Sequence, residues 1–83
     1  MSPEKHSEIV LSVFEHTVEV LTKELGRTPH IVEVCGMLAS TFGQSSGVAL
    51  VNGCSDVEIK RLQLNSMNAA RCIQENHVKG RLH

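Results

Sequence analysis

Apolar residues recur along this chain with the 3.6-residue period of amphipathic helices, except in the middle, where charge disappears. Between residues 3 and 25, Val10, Phe14, Val18, Leu21 and Leu25 form one stripe, with Leu11 at its border. Ile9, Val13 and Val20 form a second stripe beside it, and Glu8, Glu15 and Glu19 occupy the opposite face. One stripe suffices for a surface helix. Two stripes predict a helix with two neighbours, one of them from another subunit. Ser2-Pro3-Glu4 supplies the start and Gly26 the stop, because Ser caps, Pro fits the first helical position and Glu favours the first turn.

Thr28-Pro29 predicts the start of a second helix in the same way. Ile31, Val34, Cys35, Leu38 and Phe42 follow helical spacing, and Gly43 is the expected end. Residues 46–52 read as a short third helix capped by Ser45 or Ser46 and stopped by Asn52-Gly53. A strand is the alternative, since Val-Ala-Leu-Val is an ambiguous apolar run; with no partner strand in the chain, helix is favoured. Ser55-Asp56-Val57-Glu58 has the form of a capping box and opens a last helix running from 56 to about 78, before Gly80. Its main stripe is Ile59, Leu62, Ser66, Ala69, Ala70, Ile73 and His77, while Val57, Leu64, Met67 and Val78 lie on another side. The fold class predicted is all-α: a single helical domain over residues 1–83, a small bundle of three longer helices and one short one, dimeric.

Composition sharpens that expectation. A chain of 83 residues with no Trp or Tyr and only Phe14 and Phe42 as aromatics must build its core from small aliphatic side chains. Domains of this size bury roughly 60% of their unfolded surface and are marginal unless disulfides, a metal or assembly supplement the core. Cys35, Cys54 and Cys72 are odd in number and show no CxxC spacing, and no secretory signal is visible. They are expected to be thiols in a reducing, cytoplasmic setting, with Cys35 and Cys72 buried beside apolar stripes and Cys54 exposed. Assembly is the supplement that remains. Val34 to Ser55 carries no charged side chain, which places that stretch in a core or against a partner. A membrane span needs about 20 predominantly apolar residues. Gly36, Gly43, Gly47 and Gly53 with their Ser, Thr, Gln and Asn neighbours make the stretch too polar and too broken for one.

The net charge of −1 gives no general pull toward nucleic acid or anionic lipid. The ends differ, however: residues 1–33 hold six acids against three bases, and residues 56–83 three against five. Such opposite biases suit helices lying side by side within or between chains, and equally two ordinary solvated faces. His6, His16, His30, His77 and His83 include no pair at i,i+3 or i,i+4, so no metal site is predicted. No Cys or Ser stands in a recognisable relation to a base and an orienting group, and neither phosphate-loop glycine pattern is present. No catalytic residue, cofactor or nucleotide site is expected, and the chain reads as a non-enzyme.

Leu38-Ala39, Gly43 four residues later, and the run Gln44 to Gly53 resemble phage-repressor-type helix-turn-helix domains. That resemblance implies a DNA-binding unit over residues 38–53, with Gln44, Ser45 and Ser46 at the start of a recognition helix. Against the pattern, Ala49 and Asn52 stand where larger apolar residues are expected. The unit also has no Lys or Arg, whereas phosphate neutralisation supplies most DNA affinity. The reading ranked first is therefore a small regulator acting through protein contacts, pairing with itself and with another protein. Its expected interface residues are Val13, Val20, Leu64 and Met67, which lie off the main stripes. A monomer whose uncharged centre is simply its core is the competing view.

Overall fold

The computed structural model describes residues 1–81, and side-chain environments for residues 1–79. It is all-helical, with three helices and no strand among the described residues: α1 (Pro3–Leu25), α2 (Ile31–Val51) and α3 (Asp56–Arg81). Two compact units are distinguished, Met1–Ser45 and Ser46–His83.

α1 begins and ends where local chemistry requires. The Ser2 hydroxyl accepts from the Lys5 N–H at 3.1 Å, and Pro3 occupies the first helical position. At the other end Gly26 takes φ +69°, a left-handed conformation that favours glycine, and its N–H donates to the Thr22 carbonyl at 2.9 Å. Within the first unit the covered apolar helical side chains are Phe14, Val18 and Leu21 on α1 and Val34, Leu38 and Phe42 on α2. Each set follows i, i+4, i+7 or i+8, one stripe per helix. Joined by a short link, α1 and this part of α2 bury those stripes on each other as a helical hairpin. Val34, 2% exposed, is the centre of this small core, with Leu21 and Pro29 also buried.

α2 departs from expectation at both ends. It begins at Ile31, not at Thr28-Pro29. The cause is Glu33, whose carboxylate accepts from the His30 N–H at 2.9 Å while the His30 carbonyl accepts from the Glu33 N–H at 2.9 Å. This is the backward half of a capping arrangement with His30 as cap. Arg27 locks it by donating Nη1 to Glu33 Oε1 at 2.8 Å and Nη2 to Oε2 at 2.9 Å, a two-pronged guanidinium–carboxylate pair. The Arg27 hydrogen bonds and that from His30 hold the Glu33 carboxyl down at about 2, and Glu33 raises Arg27 above its ordinary value.

At the other end, the separate short helix over 46–52 does not exist. α2 runs without interruption through Gly43 to Val51, because Gly43 and Gly47 keep helical negative φ. Among the described residues only Gly26 and Gly53 have positive φ. The real stop is Asn52-Gly53. Gly53 sits at φ +97°, its N–H donating to the Leu50 carbonyl at 3.2 Å and the Cys54 N–H to the Ala49 carbonyl at 3.0 Å. Those two bonds satisfy the last carbonyls of α2 in a Schellman arrangement.

α3 is capped by Ser55, whose hydroxyl accepts from the Glu58 N–H at 3.2 Å. It continues through Gly80 to Arg81, beyond the expected end near residue 78. In the second unit no described side chain is fully buried; Ser46, Ala49 and Ile59 are half-covered. The expected core stripe of this helix is therefore not a core. Leu62, Ser66, Ala69, Ala70, Ile73 and His77 are exposed, and only Ile59 is shielded.

Candidate interaction surface

Two helical segments carry runs of exposed apolar side chains among the described residues. In the first unit every residue from 1 to 13 is exposed, including Ile9, Val10, Leu11 and Val13. In the second, all twenty residues of the helical run 60–79 are exposed.

The four residues expected at an interface are all exposed, Val13, Leu64 and Met67 within these segments and Val20 beyond the first of them. Val13 and Val20 stand seven residues apart on one side of α1 and are 51% and 46% exposed. Leu64 and Met67 stand three apart on one side of α3 and are 59% and 56% exposed. Each pair thus shares a face of its own helix. Leu62 and Ile73 are also open, although their stripe reads as interior in the sequence. Periodicity shows that a helix has an apolar face but not whether the chain itself covers it.

Charge follows the same division. α1 carries five acids and two bases, and α3 three acids and five bases. Only two ion pairs form among the described residues: Arg27–Glu33, and Lys5–Glu8 at 3.5 Å between exposed side chains. The second is the kind of surface pair worth little.

The helix-turn-helix geometry expected over residues 38–53 is absent. It needs a turn near Gly43, and α2 is continuous there. Gln44, Ser45 and Ser46 consequently sit in mid-helix instead of at a helix start. Gln44 and Ser45 are exposed; Ser46 is half-covered, and its Oγ is buried without a hydrogen-bond partner among the described residues. Cys35 and Cys72 also differ from expectation: with Cys54 they are free and exposed. Among the described residues no three His, Cys, Asp or Glu side chains group in a way that could hold a metal ion.

The continuity of α2 has one more consequence. Its glycines do not break it, so Ile31–Val51, with a mean hydropathy of 1.3, is long and apolar enough to cross a membrane by length and composition. Little of that segment is buried.

No protein-family model, curated protein or solved structure matches the chain.

Proposed function

We propose that this chain is a small, non-enzymatic cytoplasmic regulator that works through protein–protein contacts as a homodimer. The observation that carries the reading is the run 60–79: twenty consecutive helical residues with no covered side chain. Most helical stability in proteins comes from packing an apolar face. A helix rich in Asn and Gln, with Leu62, Leu64, Met67, Ile73 and Val78 open to solvent, calls for a partner. Val13, Val20, Leu64 and Met67 are the residues assigned to the dimer interface. The open apolar positions on α2, Val32, Val48 and Val51, remain available to another protein.

The test is sedimentation in reductant across micromolar concentrations. The expected result is a species of twice the 9.1 kDa protomer mass. A single 9.1 kDa species at every concentration defeats the proposal.

The uninterrupted α2 favours a second reading, in which residues 31–51 insert into a bilayer. Ser40, Gln44, Ser45 and Ser46 weigh against it, because lipid offers their side-chain polar groups no partners. Co-flotation with phosphatidylcholine vesicles at high salt would support this reading over the soluble dimer.

A further inference from the structure

The stop of α2 is also the only Asn-Gly pair in the chain; Asn65, Asn68 and Asn76 precede Ser66, Ala69 and His77. Asn52 and Gly53 are both exposed, so water and hydroxide reach them. Asparagine is a thermolabile residue, because the backbone nitrogen that follows it can attack its side-chain carbonyl carbon. The reaction is intramolecular, so its partners are already held together, and a glycine with no Cβ leaves that nitrogen least obstructed. The helix cap works against it. The Asn52 carboxamide donates Nδ2 to the Val48 carbonyl at 2.8 Å, and the Gly53 N–H donates to the Leu50 carbonyl at 3.2 Å. Leaving group and nucleophile are each tied back to α2 while the cap is closed.

We propose that Asn52 is a site of spontaneous deamidation, gated by opening of the α2 cap. In the open cap, hydroxide removes the Gly53 amide proton and the nitrogen attacks Asn52 Cγ. The N–Cγ bond forms, the Cγ–Nδ2 bond breaks, and the amide nitrogen takes a proton from water and leaves as ammonia. A cyclic imide remains. Water opens it at either carbonyl: breaking the new N–Cγ bond gives aspartate, and breaking the original peptide bond gives isoaspartate. The net change is one water consumed and one ammonia released. Both products put a carboxylate into the stretch Val34–Ser55, which otherwise has no charged side chain. A negative charge at a helix C-terminus opposes the helix dipole, and the carboxylate cannot donate to Val48. Isoaspartate also adds a methylene to the backbone, shifting the Gly53 and Cys54 N–H groups relative to the Leu50 and Ala49 carbonyls they bond. Either product therefore loosens the last turn of α2, which carries Ala49, one of the half-covered residues of the second unit.

The full unaltered chain tests this, incubated in reductant at about pH 8 and 37 °C, folded in buffer and unfolded in urea, with peptide mass spectrometry at each asparagine. Acid should appear at Asn52 ahead of Asn65, Asn68 and Asn76, as aspartate and isoaspartate together. Conversion should be roughly threefold or more slower in buffer than in urea, because only the open cap reacts. Asn52 still wholly intact in buffer after several months overturns the site, and equal rates in the two conditions overturn the gating. Asn52→Gln, whose longer side chain must close a larger ring, should abolish the early product; its persistence in that variant overturns the proposal. Asn52→Asp reads the consequence directly: hydrogen exchange at the Gly53 and Cys54 amides should quicken several-fold, and unchanged exchange overturns the loosening of α2.

Discussion

Replacing Leu64 by Glu is the sharpest single perturbation of the dimer. Leu64 keeps 59% of its side chain accessible in the protomer, and complete burial of a leucine is worth about 2.5 kcal/mol. Covering what remains open therefore contributes about 1.5 kcal/mol per protomer, and about 3 kcal/mol where a two-fold axis uses the residue twice. The substitution forfeits this and adds a carboxylate that must be desolvated, a penalty that Lys60 one turn away partly offsets. The dimer should weaken by about two powers of ten. Sedimentation equilibrium over a hundredfold concentration range reads that shift directly. Circular dichroism at 222 nm supplies the second reading, because the hairpin of α1 and α2 has its own core whereas residues 60–79 have none. The monomeric variant should keep the hairpin and lose roughly a quarter of its helical signal as α3 frays. A variant that pairs as tightly as the unaltered chain refutes the placement of Leu64 in the interface. One that unfolds completely, with no residual hairpin signal, refutes the independence of the first unit's core.

Two further outcomes follow from the hairpin. Val34→Ala empties the best-buried position in the chain and should cost about 2 kcal/mol, read as a lower midpoint in chemical denaturation; an unchanged midpoint would mean that Val34 is not the core. Glu33 has its folded pKa depressed to about 2, below the ordinary value of 4.5 for the unfolded chain. Its contribution is therefore fully present above pH 4.5 and fades as pH falls through about 2. Thermal melts of the unaltered chain and Glu33→Gln should differ near pH 6 and converge toward pH 2; a gap that widens on acidification contradicts the Arg27–Glu33–His30 arrangement.

Much of the fold is legible wherever a single residue's chemistry decides the outcome. Ser2-Pro3 and Ser55-Asp56 open helices because a hydroxyl oxygen can meet a free N–H. Gly26 and Asn52-Gly53 close them because the chain there turns left-handed. Misreading begins where the outcome depends on a choice between competing local signals. Thr28-Pro29 resembles a helix start, but the two-pronged Arg27–Glu33 pair and the Glu33–His30 bond set the start two residues later. Gly43 resembles a stop, yet a glycine accommodates helical φ at a cost of only about 1 kcal/mol, and uninterrupted backbone hydrogen bonding carries α2 past it. The turn of the DNA-binding resemblance disappears with that stop. Burial was the least legible property. The stripe of Ile59, Leu62, Ile73 and His77 has the pattern of a core face, and a pattern cannot tell a face covered by its own chain from one left open. Val13, Val20, Leu64 and Met67 stand out in the sequence only because they lie off the main stripes.

The thiols of Cys35, Cys54 and Cys72 all face outward, which makes each molecule trivalent toward its neighbours under oxidation. Trivalent units joined by sulfur–sulfur bonds do not stop at closed pairs; they branch. Air exposure should therefore turn this small chain into a ladder of ever larger covalent species on a non-reducing gel and finally into insoluble network, and dithiothreitol should return every rung to one band.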